Sequence, residues 1–379
     1  MRVGFYAPLK PPDHPEPSGD RRMARLLISA LRGMGHDVAV ISGLRSYNKS
    51  GDAGQEAATA AAAQFDLQRI ERAWAAEPAG RPDLLFTYHV YHKAADYLGP
   101  ALKSRFGLPY VIAEASVAPK RKNGPWAAGY AQAAAAIQAA DAILAITTLD
   151  RACLTAFVGE EKVLPFPPFI DPLPFLQAAA RREDERRLLA ERFHLPLCQP
   201  WLLAVGMMRG GDKLASYRRL AETLQLARQA SWHMLIAGDG PEETAVLAAF
   251  GPLGGRTRFL GQLELDDLAG LYAASDLYVW PAVNEAYGMA LLEAQAAGLP
   301  VLSVNTRGVP DIVCHRETGW LADDDSAIAL SDALLRLLNA PAERQAMAAA
   351  APRRVERHLS IAAAQQRLAT LFQQLGLAA

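Results

Sequence analysis

Two glutamates eight positions apart, Glu285 and Glu293, flank a glycine in the stretch Asn284-Glu285-Ala286-Tyr287-Gly288-Met289-Ala290-Leu291-Leu292-Glu293. The pattern predicts a loop ending in a carboxylate and then a helix from Gly288 to about Ala297. Gly298 and Pro300 stop that helix, and an apolar strand Val301–Val304 follows. A helix start offers unpaired N–H groups and a positive dipole end, which suits a phosphate. Gly288 lets a ligand approach the backbone closely. Glu293 lies roughly 7.5 Å along the helix axis at ~1.5 Å per residue. Two carboxylates astride a phosphate site suit a diphosphate that carries a diol at each end, because an ionised carboxylate accepts from both hydroxyls of a diol. A nucleotide sugar is such a ligand.

These residues resemble the donor motif of the family-4 glycosyltransferases of the GT-B fold, in which seven residues separate the two glutamates. The resemblance covers most of the chain and is strongest from about Leu202 to Leu321. It implies that Glu285 contacts the donor hexose and Glu293 the nucleotide ribose. Backbone amides at Tyr287, Gly288, Met289, Ala290 and Leu291 would hold the diphosphate and sugar. Arg209-Gly210-Gly211-Asp212-Lys213 resembles the family's basic donor-phosphate loop, so Lys213 and Arg209 are expected to offset the leaving diphosphate. Many relatives carry Arg where this chain has Met207. Gly206, the turn Gly238-Asp239-Gly240 and the loop Gly261-Gln262-Leu263 match segments near the nucleotide in relatives. Gly19, in Ser18-Gly19-Asp20-Arg21-Arg22, matches a glycine that relatives place opposite the donor phosphates, while Asp20 reads as an N-cap.

The acceptor side is less familiar. His89 and His92 sit in Thr87-Tyr88-His89-Val90-Tyr91-His92 at the end of a strand, where open α/β sheets bind ligands. Their spacing lacks a third metal ligand, and no metal site is expected. Many family members have histidine where this chain has Ala115, so Glu114 or His89 is expected to stand in. The basic segment Pro119-Lys120-Arg121-Lys122-Asn123-Gly124-Pro125-Trp126 is a candidate acceptor loop or a solvated turn.

The chain of 379 residues is long enough for two domains. A net charge of −1 argues against a nucleic-acid binder that works through a positive field. Cys153, Cys198 and Cys314 form neither a metal spacing nor a disulfide framework, which favours a reducing cytoplasm. No apolar run approaches the ~20 residues of a membrane span. Peripheral contact with the inner face of a membrane stays open, since relatives often glycosylate lipids.

Strand-like segments at Val3–Ala7, Asp37–Ile41, Leu84–Tyr88, Tyr110–Ala113 and Ala142–Thr147 alternate with helix-like ones, at Asp20–Met34 and Ala127–Ala140. The alternation predicts parallel sheets of α/β class. A proline-dense linker is expected from Val163 to Pro174, and one charged helix from about Pro174 to Phe193. The expected architecture is GT-B, two Rossmann-like doubly wound domains facing a central cleft. Residues 1–170 form the acceptor-side domain, 171–352 the donor-binding domain, and 353–379 a helix packing back on the first. The implied activity is transfer of a hexose from a UDP- or GDP-type sugar to an acceptor hydroxyl, with retention and without metal or cofactor. A nucleotide-sugar epimerase, or an inactive partner or sensor subunit on the same fold, is the alternative.

Overall fold

The structure is a computed structural model. It describes residues 1–16 and 18–377, so Pro17 and the last two residues of the predicted C-terminal segment lie outside the described residues. The chain divides into two compact units, residues 1–168 with 361 onward, and residues 169–360.

The first unit runs β1 (Arg2–Tyr6), α1 (Gly19–Gly33), β2 (Asp37–Val40), α2 (Ala53–Ala76), β3 (Leu84–Val90), α3 (Gly99–Phe106), β4 (Tyr110–Ala115), α4 (Ala127–Ala139), β5 (Ala142–Ala145), α5 (Thr148–Val158) and β6 (Val163–Pro165). Its strands form one parallel sheet in the order β2-β1-β3-β4-β5-β6. Helix α1 shows how sequence makes these elements. Ser18 caps it by accepting from the Arg21 amide, and Met23, Ala24, Leu27, Ile28 and Leu31 form its buried stripe.

The second unit runs α6 (Leu173–Ala179), α7 (Arg182–Phe193), β7 (Trp201–Val205), α8 (Asp212–Leu226), β8 (His233–Ala237), α9 (Glu243–Phe250), β9 (Thr257–Phe259), α10 (Leu265–Ala274), β10 (Leu277–Val279), α11 (Met289–Ala296), β11 (Val301–Val304), α12 (Val309–Ile312), β12 (Gly319–Ala322), α13 (Ala327–Leu338) and α14 (Pro341–His358). Its parallel sheet has the order β12-β11-β10-β7-β8-β9. Helix α15 (Ile361–Gln374) belongs to the first unit. It packs on α1, where the Gln365 side chain donates to the Ala30 carbonyl at 3.1 Å.

Three local expectations need correction. Val163–Pro165 is a strand paired with β5, and its terminal proline is tolerated because β6 is an edge strand. The helix expected over 174–193 breaks at Ala180–Arg181. Beyond the break, Arg182 and Arg186 both reach Asp276, at 2.8 and 2.9 Å. The C-terminal segment is also broken, since α14 ends at His358 and residues 353–360 stay with the second unit. There the Leu359 carbonyl accepts from Ile170 at 3.0 Å.

One device recurs at the strand starts. Asp83 before β3, Asp141 before β5 and Asp276 before β10 each accept the first amide of the neighbouring strand. The donors are Arg2, Tyr110 and Trp201, at 2.7, 2.8 and 2.8 Å. Each aspartate amide donates back to the carbonyl of that same residue, at 2.8 Å in all three. This reciprocal pair sets strand register at the N-terminal edge of each sheet. It leaves the C-terminal edge free for loops that bind ligands.

Candidate active site

The strand order of the second unit reverses between β7 and β10, so the loops that follow these strands part from each other there. Lys213, in the first turn of α8 after β7, meets Glu285 from the loop after β10, with Nζ 2.5 Å from Oε2. Trp280 ends β10's run and donates its indole N–H to the same Oε2 at 3.3 Å. The Lys213 ammonium also lies 5.2 Å from the Trp280 ring centre. One carboxylate, one ammonium and one indole thus share a partly buried point, with side-chain exposures of 29% for Lys213 and 15% for Glu285.

The turn that carries Glu285 is built under constraint. Ala282 and Asn284 have φ of 54° and 51°, a left-handed backbone that costs about 1–2 kcal/mol per residue away from glycine. Side chains compensate. Ser216 accepts from the Val283 amide at 3.0 Å, and Asn284 donates to Asp212 at 3.0 Å. Gly288 follows with φ 79°, and a Cβ there would press on Leu291 Cδ1 at 3.1 Å and Glu285 Cγ at 3.2 Å. No side chain caps α11, so its first-turn amides are presented bare. Leu291 is an exception among the residues expected to bind through the backbone, because its amide donates to the Gly288 carbonyl at 3.0 Å and its side chain is core. Tyr287, Met289 and Ala290 lie at or beside this open helix start.

Glu293 is 3% exposed and accepts the Tyr272 hydroxyl at 2.8 Å on Oε2. The expected ribose ligand is therefore a buried carboxylate with one oxygen already engaged. Arg209 differs from Lys213, since its side chain is exposed and makes no ion pair among the described residues.

The remaining expected donor residues interlock through backbone. Gly206 donates to the Ala237 carbonyl at 3.0 Å, and its own carbonyl takes the Tyr217 hydroxyl at 2.6 Å. Gly238 donates to the Gly261 carbonyl at 2.7 Å, and a Cβ on Gly238 would collide with the Gly206 carbonyl. The Met208 amide donates to Asp239, and the Gly240 carbonyl accepts from Glu243 at 3.1 Å. Leu263 is half-buried two residues beyond Gly261. The ends of β7, β8 and β9 are thus locked side by side with their glycines innermost.

In the first unit His89 and Glu114, the last turns of β3 and β4, both have left-handed backbones, φ 64° and 61°. Strain of this kind, of order 1–3 kcal/mol per residue, gathers where function demands it. Asp20 joins them from α1. His89 Nδ1 is 3.1 Å from Asp20 Oδ1 and 3.4 Å from Glu114 Oε1. Asp20 is therefore not the N-cap, a role that Ser18 takes. Burial opposes a charge on His89, but Glu114 and Asp20 outweigh it and lift its pKa to about 9. Burial opposes the Asp20 charge as well, and the His89 hydrogen bond still leaves its pKa lowered. Burial raises Glu114. At neutral pH His89 is a cation held between carboxylates, a hydrogen-bond donor and not a base. His92 is separate from this group. It lies edge-on to Trp126, with ring centres 5.9 Å apart, and burial followed by the charges of Arg121, Lys93 and Lys120 lowers its pKa. Gly19 opens α1, and a Cβ there would meet nothing within 4 Å. Among the described residues no group of three His, Cys, Asp or Glu is arranged to hold a metal ion.

Residues 208–354 match the family described as Glycosyl transferases group 1. This part of the chain is similar to the group 1 glycosyltransferases. A D-inositol 3-phosphate glycosyltransferase of Salinispora tropica is 29% identical over 311 residues, which is 77% of this chain and 64% of that protein. A GDP-mannose-dependent monoacylated alpha-(1-6)-phosphatidylinositol monomannoside mannosyltransferase of Corynebacterium glutamicum is 32% identical over 155 residues, 39% of this chain and 40% of that one. The chain thus spans less than two thirds of the length of these relatives. Among solved structures, sucrose-phosphate synthase from Thermosynechococcus elongatus superposes with a TM-score of 0.76 at 18% identity, covering 99% of both chains. Anabaena Alr3699/HepE in complex with UDP gives 0.71 at 15% identity, covering 99% of this chain and 100% of that one. The fold is GT-B.

Sequence reasoning missed the parts that Trp280, Tyr272 and Asp20 play at these two sites. Trp280 had a signal, an indole five residues before the first motif glutamate at the end of a strand. Tyr272 and Asp20 had none, because their partners lie 21 and 69 residues away. No described helix is long and apolar enough to cross a membrane.

Proposed function

We propose that this protein transfers a hexose from a UDP- or GDP-type sugar to an acceptor hydroxyl, with retention of configuration and without a metal. The observation that carries this reading is the Lys213–Glu285–Trp280 constellation beside the bare start of α11. Lys213, the exposed Arg209 and the first α11 amides supply positive charge for a departing diphosphate, the charge a metal would otherwise provide. Glu285 accepts from hexose hydroxyls once Lys213 turns toward phosphate, and the Glu293 carboxylate serves the ribose diol. Catalysis then rests on positioning and on stabilising the leaving group, whose oxygens help to take the acceptor proton. His89 and Glu114 are assigned to the acceptor side, with His89 as a donor of charge-assisted hydrogen bonds.

The test is calorimetric titration of UDP, GDP and their hexose conjugates against wild type, Glu285→Gln and Glu293→Gln, with and without EDTA. Binding of one nucleotide class that weakens at least tenfold in Glu293→Gln and is indifferent to EDTA supports the reading. No binding by any of them, or equal affinity in all three proteins, sinks it. Product analysis without acceptor separates an epimerase from a transferase.

A further inference from the structure

A second constellation lies on the C-terminal edge of the first unit's sheet, outside the Asp20–His89–Glu114 group. Trp126 carries two cations on its indole, the Arg121 guanidinium at 4.5 Å and the Lys93 ammonium at 5.2 Å from the ring centre. The platform is built in. The Trp126 indole N–H donates to the Asn48 carbonyl at 3.3 Å, and the Asn48 amide donates to the Lys93 carbonyl at 2.7 Å. Asn48 is itself fully buried and holds the loop closed through Gly51, Asp52 and Glu56. The loops after β2, β3 and β4 therefore converge here by hydrogen bonds and not by chance of surface composition.

The charge is unbalanced. Among the described residues Lys93, Lys120, Arg121 and Lys122 make no ion pair, although Lys93 and Arg121 are only half exposed. The neighbouring carboxylate, Glu56, is committed to the Tyr97 hydroxyl and the Asn48 side chain. Beneath the indole, His92 keeps a buried Nε2 with no hydrogen-bond partner. Cations gathered this closely repel one another unless an anion joins them. Arg on an aromatic face keeps its N–H edge free for a planar or tetrahedral oxyanion.

We propose that Lys93, Arg121 and Trp126, with Lys120 and Lys122, bind a phosphate ester on the acceptor. This deepens the glycosyltransferase reading and rests on it. Several unpaired cations suit a phosphate better than a carboxylate, which a single partner would satisfy. The phosphate can belong to a soluble polyol phosphate or to a phospholipid headgroup, and the chemistry of recognition is the same.

The experiment uses the full chain, wild type and Lys93→Gln/Arg121→Gln, checked for equal melting temperature. Glycerol 1-phosphate is titrated with glycerol as the uncharged control, and co-sedimentation compares vesicles of phosphatidylglycerol in phosphatidylcholine with phosphatidylcholine alone. UDP is titrated in parallel. The expected result is binding of the phosphate ester but not of glycerol, weakened at least about tenfold in the double variant and by added salt, with UDP affinity unchanged. Variant-sensitive binding of glycerol 1-phosphate alone points to a soluble acceptor, and variant-sensitive vesicle binding alone points to a headgroup. No binding to wild type, or binding equal in both proteins, overturns the proposal. Phosphate binding without any UDP binding would instead sink the donor reading while leaving this site standing.

Discussion

Replacing Lys213 by methionine keeps the apolar stem over Trp280 and removes only the charge that faces Glu285. The bond lost is charge-assisted, with N–O 2.5 Å and side chains only 29% and 15% exposed. Such bonds contribute about 1.5–3 kcal/mol. Partial exposure favours the lower half of that range, so about 2 kcal/mol is expected, because Glu285 then keeps only the indole N–H at 3.3 Å. For a unit of this size that corresponds to about 4–8 °C in melting temperature. Glu285→Gln should cost less, about 1 kcal/mol, since the amide still accepts from both partners. The double variant should lose less than the sum of the two, with a coupling energy of about 1.5 kcal/mol in a double-mutant cycle. The second assay separates the two roles. Lys213→Met should weaken UDP at least tenfold, and more at low salt, whereas Glu285→Gln should leave UDP affinity near normal and lower transfer about a hundredfold. A coupling energy below about 0.3 kcal/mol, or unchanged UDP affinity in Lys213→Met, would refute the reasoning.

Other perturbations test separate parts of the structure. Gly288→Ala forces a side chain into φ 79° against Leu291 and Glu285, so it should destabilise by about 1–2 kcal/mol and weaken UDP. Gly19→Ala, with nothing within 4 Å, should leave the melting temperature within about 1 °C. Tyr272→Phe removes one hydrogen bond to the buried Glu293 carboxylate, and denaturant titration should show a loss of about 1.5–3 kcal/mol. The pKa of His89 rises from 6.5 to about 9 on folding, so its stabilising contribution is complete below pH 6.5 and is lost as pH rises through 9. At 1.36 kcal/mol per pH unit this amounts to at most about 3 kcal/mol, and the fall in stability across that window should vanish in His89→Gln. A parallel fall in wild type and variant would show that His89 carries no such charge in the fold.

Much of the second unit was legible because its recognition runs through backbone. Glycines that must approach another chain segment, as Gly238 approaches the Gly206 carbonyl, leave a fixed spacing in the sequence. So does a helix that must start bare behind Gly288. Long apolar runs bounded by glycine and proline gave the central strands. Helix α2 escaped notice because its buried set is only Ala63, Leu67, Ile70 and Trp74 within an alanine-rich segment, which produces little periodicity. The break between α6 and α7 was hidden for another reason. Arg182 and Arg186 look like surface charges in sequence, and only the position of Asp276 turns them inward.

The two units share a construction rule and differ in what they build on it. Aspartates locked reciprocally to the first residue of a neighbouring strand fix the N-terminal edge in both, at Asp83, Asp141 and Asp276. With that edge fixed, chemistry collects at the opposite one. In the second unit glycines follow the strand ends, and Gly238 packs directly against the Gly206 backbone. In the first, the residues at the ends of β3 and β4 are His89 and Glu114, forced into a conformation glycine would adopt without cost. The strain exchanges backbone ease for two titratable side chains that meet each other, with His89 also reaching Asp20. Local propensity argues against such residues at such positions, which is why their pairing was not readable from sequence. The same conflict is the physical reason to place function there. His89→Gly and His89→Ala both lose the charge, so a glycine variant more stable than the alanine one, with activity lost in both, is the outcome this argument requires. The test is a denaturant titration run beside a transfer assay, and a glycine variant that is no more stable than the alanine one would remove the claim of stored strain.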